Sequence, residues 1–224
     1  MTHHLAHPVQ PAAPVEERPR LRGVLHAATA PLALAVGLAL TATAPDGRGR
    51  AACAVFALTA TLLFTTSAAY HTGRWTRGTE EALRRLDHAN IFLVIAGTYT
   101  PLAVLLLPPP AGRDLLWTVW GAAAVGTAVQ LLWPAAPRWL SAPVYLAVGW
   151  IVLLFIPDFA HSGRPAVLAL VLAGGLLYSA GGIVYARKRP DPSPAWFGFH
   201  EVFHALTTAA FAAHAAAIGL LTAR

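Results

Sequence analysis

Phe199-His200-Glu201-Val202-Phe203-His204 opens the last apolar run of this chain, which continues to Ala223. Roughly 20 apolar residues suffice for a helix to cross a bilayer, so 199–223 reads as a membrane-spanning helix. His200 and His204 then lie on one helix face, one turn apart. That spacing suits a single transition-metal ion. Ionisable side chains inside a membrane are costly and mark functional sites. The rest of the chain decides whether further ligands reach the same place.

The whole composition points the same way. Of 224 residues, 56% are hydrophobic and only 12% are charged, where a soluble domain carries roughly 25% charged residues. Seven runs can span, at approximately 23–44, 51–73, 88–109, 115–134, 139–157, 165–186 and 199–223. The expected fold is an all-α membrane protein, a seven-transmembrane-helix bundle over 23–224, in the inner membrane of a bacterium. A polar, proline-bearing tail at 1–22 is expected to be disordered. Ala42-Thr43-Ala44 looks like a signal-peptidase site, but the first run exceeds the roughly 7–15 residues of a signal core, so it reads as an uncleaved helix. Pro101 removes one helical hydrogen bond and predicts a kink in the third span, with Thr98 and Thr100 placed to re-satisfy freed carbonyls. Gly174, Gly175, Gly181 and Gly182 predict close helix approach in the sixth.

The formal net charge is +6. It does not signal nucleic acid, because the arginines sit in short loops between apolar runs. Cys53 stands alone in an apolar run, which leaves neither a disulfide framework nor a cysteine metal knuckle. The loop charges set an orientation instead. Arg18, Arg20, Arg22, Arg74, Arg77, Arg84, Arg85, Arg138, Arg187, Lys188 and Arg189 fall on one side. Arg48, Arg50, Arg113, Arg164 and Arg224 fall on the other. The N-terminus is therefore expected in the cytoplasm and the C-terminus outside.

With that topology three separated segments meet at one depth. The second span ends at His71, the third begins at Asp87, and the seventh begins at His200 and His204. Three neutral imidazoles and an oxygen make a tetrahedral set that suits Zn2+ better than calcium or magnesium. Such an ion lowers the pKa of its water to about 7. Asp87 either ligates directly or takes a hydrogen bond from the water as general base. Ser67, four residues before His71, faces the same way and can position Asp87 or the water.

Plainer readings stand beside these. His200, His204 and His71 taken singly fit interfacial helix ends, and Asp87 taken singly fits the N-cap of the third helix. His26 needs no function at an interface. His88 points about 100° from Asp87. His214, nearly three turns beyond His204, reads as a buried polar residue beside a cavity. Tyr99, Tyr145 and the tryptophans read mostly as belt or packing residues. His200-Glu201-Val202-Phe203-His204 also matches the zincin pattern, with Glu201 as base, but no second acidic motif accompanies it.

Ser67-x-x-x-His71, Arg85-Leu86-Asp87-His88 followed by Ile95-Ala96-Gly97-Thr98-Tyr99-Thr100-Pro101, and His200-Glu201-x-x-His204 together resemble the hemolysin III family. That family lies within the progestin and adipoQ receptor group, which includes the adiponectin receptors. The resemblance covers all but the tail. It implies seven helices with a cytoplasmic N-terminus and zinc held at His71, His200 and His204. It also places Asp87 close to the metal's water, with Ser67 in the same motif. The adiponectin receptors and the related alkaline ceramidases look like zinc-dependent lipid amide hydrolases. The large cytoplasmic extension of the animal receptors is absent, so receptor coupling does not carry over.

The resulting expectation is a zinc-dependent hydrolase of lipid amide or ester bonds, with the bilayer and a lipid substrate as partners. Two alternatives use the same residues: a membrane-lysing or pore-forming protein with zinc as a structural clamp, and a sensor whose metal shapes a ligand pocket. Against a pore, no helix carries a repeated polar stripe.

Overall fold

The computed structural model describes residues 19–133 and 138–223. Most of the expected tail, and the expected end of the fourth span at 134, lie outside them. The helices are α1 (Val24–Thr43), α2 (Gly47–Thr72), α3 (Arg77–Leu106), α4 (Pro109–Leu132), α5 (Arg138–Gly149), α6 (Ile156–His161), α7 (Pro165–Arg187) and α8 (Phe199–Thr222). A 3-10 segment, Trp150–Phe155, joins α5 to α6. Counting Pro143–His161 as one, seven helical segments among the described residues are long and apolar enough to cross a membrane, as expected.

The neighbours form a closed ring. Each of α1 to α4 packs on the next, α5 packs on α4 and α7, α7 packs on α8, and α8 returns to α1. The third helix lies inside, touching α8 and α5 as well. Leu32, Leu58, Trp117 and Leu154 point outward and are exposed, the apolar surface a lipid-facing bundle must present.

Three local features differ from expectation. The third helix starts at Arg77, not near His88. Thr76 caps it by accepting from the Thr79 amide, and Glu81 pairs with Arg85 one turn along. Local capping and an i,i+4 ion pair thus make a helix from a charged stretch that reads as a loop. Asp87 is therefore in the helix interior and not an N-cap. The third helix also runs through Pro101 to Leu106, and the Thr98 and Thr100 hydroxyls donate to the Val94 and Ala96 carbonyls at 2.7 and 2.8 Å. The carbonyl that Pro101 leaves without its helical donor is that of Gly97, so these threonines do not replace the lost bond.

The fifth span is broken at Gly149. Tyr99 occupies the break: its hydroxyl donates to the Gly149 carbonyl at 2.6 Å and accepts from the Val152 amide at 3.1 Å. Tyr145 donates to Gln130 and the Trp150 indole to Ser179. These aromatic polar ends bond inside the bundle, and their place is not a headgroup belt.

Candidate metal centre

The expected site residues meet at one end of the bundle. The last turn of α2 carries His71, with Ser67 one turn earlier. The first two turns of α8 carry His200 and His204. Two carboxylates fix where α8 begins: Glu201 Oε2 accepts from the Gly198 amide at 2.8 Å and Asp191 Oδ1 from the Phe199 amide at 2.9 Å. Satisfying these orphan amides sets the register of both histidines.

His71, His200 and His204 are buried, and one ligand atom from each lies within 4.8 Å of the others. His71 Nε2 and His200 Nε2 share a hydrogen bond at 3.2 Å. Two imidazole nitrogens each 2.0–2.1 Å from a tetrahedral zinc stand about 3.4 Å apart. The separation of this pair is therefore close to that of two ligands of one ion. The three residues form a group that can hold a metal, and an all-imidazole donor set favours zinc-like over calcium-like ions.

Asp87 Oδ2 stands 3.7 Å from His71 Nε2. Ser67 is buried and borders the same cavity as Asp87. Asp87 is not one of the three mutually close donors. Its carboxylate flanks the triad instead of completing it.

Two residues at this centre escape sequence reasoning. His26 of α1 is 3% exposed and stacks on His204, with ring centroids 3.6 Å apart and planes 8° from parallel. Phe64 meets the His26 ring edge-on at 5.0 Å. Among the described residues, neither His26 nitrogen has a hydrogen-bond partner. Arg22 is the other: its Nε donates to His71 Nδ1 at 3.4 Å and its Nη1 lies 3.6 Å from Glu201 Oε1. Glu201, 1% exposed, is thus held at Oε2 by the helix start, while Oε1 faces the Arg22 charge without a hydrogen bond. That use argues against the base role the zincin pattern assigns it.

Arg22 reaches the centre because residues 19–23 lie across the end of α2. The Arg20 and Leu21 amides donate to the Ala195 and Trp196 carbonyls at 3.0 and 3.1 Å, and the Arg20 guanidinium sits 4.6 Å over the Trp196 ring. Gly23 makes the crossing possible. Its φ is +78°, and a Cβ there would stand 2.7 Å from His71 Cβ, so glycine is needed twice over.

A cavity of about 460 Å3 opens from the centre into the bundle, within the usual range for small-molecule sites. Arg22, Arg84 and His88 line it along with the triad. Leu63, Ile91, Ile95, Leu102 and Leu146 provide apolar wall, and His214 also borders it. His88 Nδ1 donates to the Arg84 carbonyl at 2.7 Å, so His88 borders the cavity from its own turn of α3.

A family profile described as "Haemolysin-III related" matches residues 16–215. Among curated proteins, "Hemolysin-3 homolog" of Bacillus subtilis (strain 168) is 32% identical over 146 residues, which cover 65% of this chain and 68% of that protein. "Hemolysin-3" of Bacillus cereus is 33% identical over 121 residues, 54% of this chain and 55% of its own length.

Proposed function

This chain belongs to the haemolysin-III related family of multi-pass membrane proteins, and on that premise we propose that it is a zinc-dependent hydrolase of amide or ester bonds in membrane lipids. The observation that carries the reading is a buried triad, His71, His200 and His204, whose donor atoms lie within 4.8 Å of one another at the head of a cavity walled mainly by apolar side chains. The loop charges favour the cytoplasmic side for this end of the bundle.

Zinc bound by the three imidazoles supplies a Lewis acid able to polarise a carbonyl and acidify water. The chain's own residues do the remainder. Asp87 takes the proton of the attacking water and returns it to the leaving nitrogen or oxygen as the carbonyl–heteroatom bond breaks. Ser67, which borders the cavity with Asp87, positions the Asp87 carboxyl. The apolar wall of Leu63, Ile91, Ile95 and Leu102 takes the acyl chain and keeps bulk water from the reacting bond.

The test is release of fatty acid from a panel of lipid amides and esters by zinc-loaded protein in detergent. Asp87→Ala is expected to lower the rate by about 10²–10⁴. Full activity in Asp87→Ala would overturn the assigned role.

The names of the relatives support a second reading, a membrane-lysing protein with the metal clamping α2 to α8. Vesicle leakage that persists unchanged in His71→Ala would favour it over hydrolysis.

A further inference from the structure

His214 sits ten residues beyond His204 on α8, which is about 15 Å along the helix axis. It borders the same cavity as the triad and is 8% exposed. Its Nε2 donates to the Val171 carbonyl of α7 at 3.2 Å. That bond fixes the tautomer: Nδ1 carries a lone pair and acts as an acceptor. Nδ1 is buried and has no partner among the described residues.

Several polar groups on the cavity wall are engaged, and the Tyr178 ring lies 5.8 Å from that of His214. The Ser179 hydroxyl donates to the Gly175 carbonyl and accepts from Trp150. The Thr98 and Thr207 hydroxyls donate to the Val94 and Phe203 carbonyls. Tyr99 is used on both sides of its oxygen. Among the described cavity-lining residues, the unpartnered buried side-chain atoms belong to His26, His204 and His214. His26 and His204 are stacked at the metal end. Away from that end, the buried unpartnered side-chain atom among the described lining residues is His214 Nδ1.

The bundle also makes room for this ring. A methyl group at Gly174 would stand 2.3 Å from His214 Nε2, so α7 must carry glycine where the ring crosses. Leaving a buried acceptor unpaired is costly, and a purely apolar acyl chain would keep it unpaired.

The geometry points to a specificity residue: His214 Nδ1 accepts a hydrogen bond from a hydroxyl or N–H on the ligand's chain, about 15 Å from the group held at the metal. The ligand class is thus a lipid whose acyl chain bears a mid-chain donor. This rests on the reading of the cavity as an acyl site.

The experiment uses the full-length zinc-loaded protein in detergent and displacement of a fluorescent fatty acid. The competitors are stearate, 12-hydroxystearate, whose hydroxyl lies near the required distance, and 2-hydroxystearate, whose hydroxyl does not. Wild type is expected to bind 12-hydroxystearate about tenfold more tightly than the other two. His214→Phe fills the ring's space without an acceptor and should abolish that preference while leaving stearate affinity nearly unchanged. Equal binding of all three by wild type overturns the inference and leaves the acyl site standing. A preference that survives in His214→Phe overturns the assignment to His214. Failure of every competitor to displace the probe overturns both the inference and the acyl reading. The wild-type comparison alone decides the case if His214→Phe does not fold.

Discussion

The imidazole of His26 lies flat against that of His204, 3.6 Å away and 8° from parallel. The lone pairs of an imidazole lie in its ring plane, so two rings stacked this way do not aim at a common ion. His26 therefore positions His204 by contact, as residues behind a metal ligand commonly do.

Removing that contact should loosen the site without removing a ligand. Aromatic pairs are worth about 0.5–1.5 kcal/mol, so His26→Ala is expected to weaken zinc retention roughly 2- to 10-fold in a chelator competition. His26→Phe, which keeps a ring on His204, should stay near wild type. Equal loss in both variants would mean that the His26 nitrogens, and not its ring face, matter.

Glu201 separates capping from catalysis. Its Oε2 holds the Gly198 amide, and glutamine preserves an oxygen acceptor there. Glu201→Gln should keep zinc content and most activity, whereas Glu201→Ala should lower thermal stability by about 0.5–2 kcal/mol. Abolished turnover in a fully folded Glu201→Gln protein would restore the zincin reading.

Tyr99 bridges the broken fifth span to α3. Tyr99→Phe leaves the Gly149 carbonyl and Val152 amide without the partner they now have. Each such buried group costs about 1–3 kcal/mol. The variant should melt clearly below wild type in detergent, and an unchanged melting temperature would show that other groups satisfy the break.

Gly23→Ala should be disproportionately harmful for so small a change. The added methyl would press on His71 Cβ at 2.7 Å while φ is +78°. Overpacking of this kind typically costs about 1–3 kcal/mol. Reduced zinc content beside reduced stability is expected, because the strained contact is with a residue proposed to bind the metal. Val24→Ala, one position along, is the control: Val24 is exposed, so zinc content and melting temperature should both stay near wild type.

Much of this centre is legible in the sequence because its parts obey strong local rules. The uncharged runs give the seven spans. The four-residue spacing of His200 and His204 and of Ser67 and His71 gives the shared faces. Alternating spans bring His71, Asp87 and α8 to one end. His26 is not legible, since nothing within four residues of it suggests a partner and the stacking depends on how α1 meets α8. The start of α3 is hidden because charged residues 77–87 carry no apolar periodicity, although Thr76 and the Glu81–Arg85 pair make them helical. The break at Gly149 depends on a hydroxyl from Tyr99, fifty residues away in the chain.

The central claim is that His71, His200 and His204 hold one metal ion between α2 and α8. The most direct measurement is the metal content of the detergent-purified protein beside His71→Ala and His204→Ala. The account predicts about one zinc per chain in wild type, as expected for a single three-histidine site, and loss of it in both variants. Wild-type protein that carries no zinc even after supplementation would contradict it.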